Sequence, residues 1–364
     1  MYSKELNTIK KANRLRTRNI YDKNLIDLAS NDYLGLSGNK EIFENAYQRV
    51  SKEKYTSPKA SILVNGYSQI HKDFEDALKK ANNFEDAVVV GSGFLANISM
   101  IEALVRKGDT LFIDEEYHAS GMLATKLLNK NQIIIFNHND YEDLKQKFEA
   151  CENKGRKLIA IEGVYSMEGD IAPKEFFDFA DEKNAILIVD EAHSSGVIGE
   201  KLLGIFDLYN ITPKKNHIKM GTLGKSYGSY GAYILGSKEI VSFLENRAKP
   251  IIYSTALSIF DVILANEALL KIERDSKTLK TQIDARIKLT KTLLDIDIDS
   301  LILKIEVNTN ERVLNIQKKL LKENFLVGAI RPPTVTTSML RVILRLSNSI
   351  EDTSRLFTII KTSN

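Results

Sequence analysis

With 364 residues, 43% of them hydrophobic and 27% charged, the chain has the balance of an ordinary globular protein and the length for one large domain plus a smaller one. Its 51 Lys and Arg nearly cancel its 48 Asp and Glu, and the net +3 is spread without blocks, which argues against a nucleic-acid binder. The single cysteine, Cys151, excludes an internal disulfide and a cysteine-based zinc cluster and fits a reducing cytoplasm, and no apolar run approaches the roughly 20 residues of a bilayer span.

In chain order, residues 1–40 form an N-terminal arm. Its basic stretch (Lys4, Lys10, Lys11, Arg14, Arg16, Arg18) lacks the apolar core of a secretory signal, and the turn-rich segment 30–36 follows. Residues 41–250 read as a catalytic domain. A helix is expected over 68–81, and then short β-rich runs alternate with amphipathic stretches, the pattern of an α/β protein with a mostly parallel, helix-covered sheet. The spacing predicts seven strands, at 87–90, 110–113, 132–136, 157–161, 185–189, 217–222 and 231–235. Helices are expected between them at 96–105, 118–129, 141–151 and 173–183. After Pro250 the pattern changes, and residues 251–364 read as a small α+β domain with a long helix over 260–294, short strands and a last helix over 351–360.

Several polar residues fall where predicted strands end, the edge at which open α/β sheets bind ligands. Lys225 stands in a glycine-rich turn just after a strand. Taken alone it is an ordinary turn lysine, yet an amine placed there among other cations becomes nucleophilic and suits a Schiff-base enzyme. Asp190 and His193 close the strand at 185–189. They read either as a turn cap with a satisfied histidine or as a carboxylate for a pyridine nitrogen with an imidazole for the ring hydroxyl. The Gly-Ser-Gly turn at 91–93 runs into a helix, leaving backbone N–H groups for a phosphate, with Phe94 beside it. His118 opens a helix at the same edge, where it is a cap or a ring that stacks on a pyridine. Ser166 is a donor candidate in the loop after 161, whose acids Glu168 and Asp170 are expected to be solvated. His71, His138 and His217 read as structural, Cys151 as a packing residue, and no metal site is expected.

Asp190-Glu191-Ala192-His193 also spells the DEAH box of nucleic-acid-dependent ATPases, with Gly224-Lys225-Ser226 like the end of a P-loop. The spacing defeats this, because the P-loop glycine would have to stand at 219, which is Lys219, and the loop would have to precede the acidic strand. A non-catalytic binding protein on the same fold is a further alternative, whose simplest mark would be loss of the lysine.

Read together, SNDYLGL (30–36), GYSQIH (66–71), GSGFLAN (91–97), EGVYSMEGD (162–170), VDEAHSSGVIGE (189–200), TLGKSYG (222–228), IIYSTAL (251–257) and AIRPPTV (329–335) resemble the α-oxoamine synthases. These are fold-type I pyridoxal-phosphate transferases, and the resemblance runs from about residue 12 to 360. It implies a homodimer with shared active sites and a decarboxylative condensation of an amino acid with an acyl thioester. IIYSTAL with AIRPPTV is most similar to the branch that joins L-alanine to a pimeloyl thioester, on coenzyme A or an acyl-carrier protein, in biotin synthesis. The sister branches take glycine and a shorter acyl-CoA, as in aminoketobutyrate ligase or aminolevulinate synthase.

Carried over by position, the resemblance makes Lys225 the cofactor-bearing lysine, Asp190 the partner of the ring nitrogen and His118 the stacking residue. His193 and Ser166 fall at ring-hydroxyl positions, and Gly93, Phe94 and Thr222 at phosphate-side or cofactor-contact positions. Ser254 and Thr255 are implied to reach the neighbouring subunit's phosphate. Arg16 and Thr334 match substrate-binding positions. Arg341 and Arg345 compete for the amino-acid carboxylate, with Arg341 preferred because the segment after it then aligns. Charge, apolar-run length and the single cysteine together lead to the expectation of no nucleic acid, no membrane and a cytoplasmic protein.

Overall fold

Short runs of Val, Ile and Leu become strands in a computed structural model that describes residues 1–363. In chain order they are β1 (Ile26–Leu28), β2 (Asp86–Val90), β3 (Thr110–Asp114), β4 (Ile133–Phe136), β5 (Lys157–Glu162), β6 (Ile186–Asp190), β7 (His217–Thr222), β8 (Ala232–Gly236), β9 (Ile302–Glu306), β10 (Phe325–Ile330) and β11 (Met339–Ile343). The described residues divide into two units. The larger comprises Leu34–Tyr165 and Asp170–Lys280, and the smaller comprises Met1–Tyr33, Ser166–Gly169 and the chain from Thr281 onward.

In the larger unit, seven strands pair in the order β2-β8-β7-β6-β5-β3-β4, and β8 alone runs against the others. All seven expected strands occur with ends within a residue or two, the ordinary uncertainty of element boundaries. The inner strands are buried along nearly their whole length, as a sheet with helices on both faces requires. One core packs Met100 and Ile101 of the helix Gly93–Leu104 on Leu111, Leu158 and Ile188, each burial contributing about 1.5–3 kcal/mol. Elsewhere in the unit the packing is aromatic, with Phe112 on Phe148 and Phe136 on Phe176 at ring separations of 5.0 and 5.7 Å.

Helix starts follow capping chemistry. Ser92 accepts from the Leu95 N–H (3.2 Å) and Asp140 from the Asp143 N–H (2.9 Å). The helix expected over 118–129 is shorter, Ala119–Ala124, and tightens into a 3₁₀ turn at Thr125–Leu127. There the Thr125 hydroxyl donates to the Met122 carbonyl (2.8 Å), a bond that competes with continued helix.

Glu75 is buried on the helix Gln69–Asn82, where its carboxylate accepts from the Val89 N–H (2.9 Å) and the Tyr67 hydroxyl (2.5 Å). Burial outweighs those bonds and pushes its carboxyl up to about 7, with Glu245 and Asp86 adding repulsion. Since the folded pKa lies above the unfolded one, the stability tied to this group is full below about pH 4.3 and is lost as pH rises through 7. Glu75→Gln is expected to melt about 2–5 °C above the wild type at pH 8 and to lose that advantage at pH 4.5, read by calorimetry. An equal difference at both pH values contradicts it.

The smaller unit carries a four-stranded sheet, β1-β10-β11-β9, in which β1 pairs parallel with β10 and the rest are antiparallel. Here the arm, for which no strand is expected from sequence, supplies one, with Ile26 opposite Phe325. The long helix runs Ile259–Leu294 and the last begins at Ile350, close to their expected places.

Candidate active site

The parallel strands β3, β5, β6 and β7 end on Asp114, Glu162, Asp190 and Thr222, so their register delivers polar side chains to one edge of the sheet. Glu162 lies opposite Asp190, and Asp190 opposite Met220. At this edge a cavity of about 180 Å³ is lined by Gly93, Phe94, Asn97, His118, Glu162, Asp190, Ala192, His193, Met220, Thr222 and Lys225. Seven residues singled out from sequence, Gly93, Phe94, His118, Asp190, His193, Thr222 and Lys225, thus meet in one place.

Lys225 reaches the cavity from the turn between β7 and β8, and its Nζ lies 2.7 Å from His193 Nε2. Close backbone packing holds that turn. Gly228 has φ +59°, and a Cβ there would stand 2.3 Å from the Ser37 nitrogen. A Cβ on Gly196, in the loop after β6, would stand 2.4 Å from Ser226 Cβ, so the lysine turn and the His193 loop are packed directly together.

Asp190 is 2% exposed, with Oδ1 accepting from the Ala192 N–H (2.9 Å) and Oδ2 from Asn97 Nδ2 (2.8 Å). Asp190 thus caps its turn and also lines the cavity. Asn97 is fixed in turn by the Tyr117 hydroxyl, which donates to its Oδ1 (2.8 Å), and Asn97 Nδ2 also donates to Ser120 Oγ (3.0 Å). Ser120 pairs with His118 Nδ1 (2.6 Å). Burial pushes the His118 imidazole below its ordinary pKa, Lys225 reinforces this and Asp190 opposes it, so the ring is neutral near pH 7. Burial, then the Asp190 and Glu162 carboxylates, push the Tyr117 hydroxyl well up, which keeps it a donor.

Asn97, Tyr117 and Ser120 were missed as functional from the sequence. Asn97 carried a readable signal, as an amide on the buried side of the mostly apolar GFLANISMIEAL helix, where a polar group must have a partner.

The residues fit pyridoxal phosphate. An amine for its aldehyde, a buried carboxylate with spare lone pairs for its ring nitrogen, and a neutral imidazole all line one cavity. Gly93 and Phe94 begin a helix of 12 residues whose cap bonds Leu95 and Ala96, leaving first-turn N–H groups for a phosphate. Thr222 lies across from Gly93, 3.7 Å from where a Cβ would stand.

The other expected residues lie outside this cavity. Ser254 and Thr255 line a separate small pocket with Val90, Gly91 and Pro250. Ser166 is buried in the smaller unit, its carbonyl accepting from Arg341 Nε (2.7 Å). Also in that unit, Arg16 Nη2 donates to Thr334 Oγ1 (2.9 Å), which brings two expected substrate residues together.

The rival arginines differ sharply. Arg345 is held by two carboxylates, Asp27 and Asp32, at 2.9 Å each. Arg341, 6% exposed, donates from Nε to Ser166 and from Nη1 to Asn31 (2.9 Å), while its Nη2 is buried without a partner among the described residues.

Glu168 and Asp170, expected as solvated loop acids, keep side-chain exposures of 31% and 34%, but each is also paired, Glu168 with Lys304 (2.6 Å) and Asp170 with His138 (3.0 Å).

The family model for aminotransferase class I and II matches residues 23–352. The chain is 46% identical over 358 residues to the 8-amino-7-oxononanoate synthase of Helicobacter pylori strain J99, covering 98% of this chain and 95% of that one. A solved 8-amino-7-oxononanoate synthase from Francisella tularensis is similar with a TM-score of 0.78 and 26% identity over 94% of this chain and 98% of that one. A serine palmitoyltransferase from S. paucimobilis shares the fold, with a TM-score of 0.89 at 22% identity over 99% and 96% of the two chains. Sequence, sheet and cavity agree that this chain belongs to the aminotransferase class I and II family and, within it, to the α-oxoamine synthases of fold type I.

Proposed function

We propose that this chain is an 8-amino-7-oxononanoate synthase, which uses pyridoxal phosphate to join L-alanine to a pimeloyl thioester with loss of carbon dioxide and the thiol, in biotin synthesis. One observation carries the choice of reaction, namely 46% identity to an enzyme of that name over nearly the whole of both chains. When bound, the cofactor supplies an aldehyde for the amino group and an electron sink for charge left at the amino acid's Cα.

The chain's own residues supply the rest. Lys225 Nζ anchors the cofactor and, once freed, takes the Cα proton of alanine and later returns one to the product. The new bond joins alanine Cα to the thioester carbonyl carbon as the thiol leaves, and the alanine carboxylate departs as carbon dioxide. Asp190, fixed by Asn97 and the Ala192 N–H, would hold a proton on the ring nitrogen. His193, beside the Lys225 amine, would orient it and hold the ring hydroxyl, and neutral His118 would stack on the ring.

Arg341, with one buried guanidinium nitrogen to spare, suits the alanine carboxylate better than Arg345, whose fork is taken. Arg16 with Thr334 fits the acyl side. Ser254 and Thr255 fit donors for the phosphate of a second copy, so we read the enzyme as a homodimer. Among the described residues no helix is long and apolar enough to cross a membrane, and with its one half-buried cysteine we read the enzyme as cytoplasmic.

The test is to give the purified protein, with pyridoxal phosphate, each of alanine, glycine and serine with pimeloyl, acetyl and succinyl thioesters, on coenzyme A and on a carrier protein. Product mass should identify the alanine and pimeloyl aminoketone alone. A product built from glycine and a shorter acyl group overturns the assignment in favour of a sister branch.

A further inference from the structure

A buried ionic cluster in the larger unit, around Asp114 and His138, takes no part in that chemistry. Asp114, the last residue of β3, is fully buried. Its Oδ1 meets His138 Nδ1 (3.1 Å) and accepts from the Glu116 N–H (2.8 Å), while Oδ2 accepts from the Asn139 N–H (2.9 Å) and the Tyr165 hydroxyl (2.8 Å). The other ring nitrogen of His138, Nε2, meets Asp170 Oδ2 (3.0 Å), which also accepts from Asn139 Nδ2 (2.5 Å).

A histidine with a carboxylate oxygen at each nitrogen must donate from both, because the neutral ring would aim a lone pair at one of them. The imidazolium is thus built into the geometry. Burial alone would lower its pKa, yet the bonds to Asp114 and Asp170 carry it up to about 10.

This clamp grips one short turn. Besides the Asp114 bonds, Glu115 donates its N–H to the Phe136 carbonyl (3.0 Å), and Glu115 Oε1 accepts from the His138 N–H (3.1 Å). The turn from Asp114 to His118 is therefore stitched to the chain after β4 at both backbone and side chains. Its last two residues are the ones it delivers to the site, since Tyr117 holds Asn97 against Asp190 and His118 lines the cofactor cavity.

We propose that His138, as an imidazolium bridging Asp114 and Asp170, is a positioning residue that fixes the Asp114–His118 turn and through it the placement of His118 beside the cofactor. This rests on the pyridoxal-phosphate reading given above. Neutral glutamine at 138 leaves two carboxylates facing each other without a cation, and the turn relaxes away from them. Sites held only to within about 1 Å lose much of their function, so a remote contact can matter at the cavity.

The test is a double-mutant cycle on cofactor affinity, reading the visible absorbance as pyridoxal phosphate is titrated into cofactor-free protein. His138→Gln should weaken binding roughly 10-fold and lower kcat by a similar factor, with the KM for the acyl thioester within about twofold. Added to His118→Ala, it should weaken binding no further. If the two effects multiply, or if His138→Gln binds and turns over within twofold of wild type, the positioning role is wrong. Should His138→Gln fail to fold, Asp170→Asn leaves the Asp114 to His138 pair and carries the same cycle, with an expected loss of about threefold that vanishes in the His118→Ala background. A wild type that binds no pyridoxal phosphate overturns the functional reading itself, whereas a binding wild type with additive variants overturns only the role of His138.

Discussion

Replacing Lys225 with alanine is expected to lower turnover by roughly 10⁴-fold or more while leaving the fold in place. The amine has two tasks that no neighbour can take over. In the proposed reaction it anchors the cofactor and is afterwards the base at the alanine Cα. His193 lies 2.7 Å from it, but an imidazole forms no stable covalent link to an aldehyde under these conditions. The stability effect should be small, because Lys225 is half-buried and its turn is held by Gly228 against Ser37 and by Ser226 against Gly196. Borohydride treatment of the wild type with cofactor should leave a pyridoxyl mass on the peptide containing Lys225, and the alanine variant should carry none there. A Lys225→Ala protein that turns over within tenfold of wild type would end the assignment.

The site was legible where backbone periodicity decides it. Strands buried on both faces announce themselves as apolar runs, and a parallel sheet places their carboxyl ends together, so Asp190, His118 and Lys225 could be expected at one edge before any side chain was seen. What periodicity cannot carry is partnership across the chain. Arg341 and Arg345 are four residues apart in MLRVILRL, so alternation gives them the same face. They are separated by Asp27 and Asp32, some 300 residues away, which occupy the Arg345 guanidinium, whereas Arg341 keeps one buried nitrogen unbonded among the described residues. The same limit hid the clamp on His138, because its two carboxylates stand 24 and 32 residues away in sequence. It also hid β1, where three residues are too few for a pattern and pairing with β10 makes the strand. Family resemblance supplied roles for residues whose local pattern is mute, Ser254 and Thr255 above all, and those roles depend on a second copy of the chain.

Asp190→Asn carries the second large effect, an expected fall in turnover of about 10²- to 10³-fold. Both oxygens of Asp190 are acceptors in the folded protein, one for the Ala192 N–H and one for Asn97 Nδ2. Asparagine has only one acceptor to give. Whichever way its amide is turned, an NH₂ group confronts another donor, a buried mismatch worth about 1–3 kcal/mol. The network beyond it then loses its order, because Tyr117 holds Asn97 from the far side. The chemical loss is greater than the structural one. A neutral amide cannot stabilise a proton on the ring nitrogen, so charge at the alanine Cα has no sink, and proton removal becomes the slow step. Exchange of the alanine Cα proton with deuterated solvent, followed by NMR without any acyl thioester, isolates that step from the condensation. It should slow in parallel with turnover, and the melting temperature should fall by only a few degrees. Exchange at the wild-type rate in a variant with impaired turnover would move Asp190 from proton removal to a later step, and the carboxylate would then be acting on the thioester rather than on the ring.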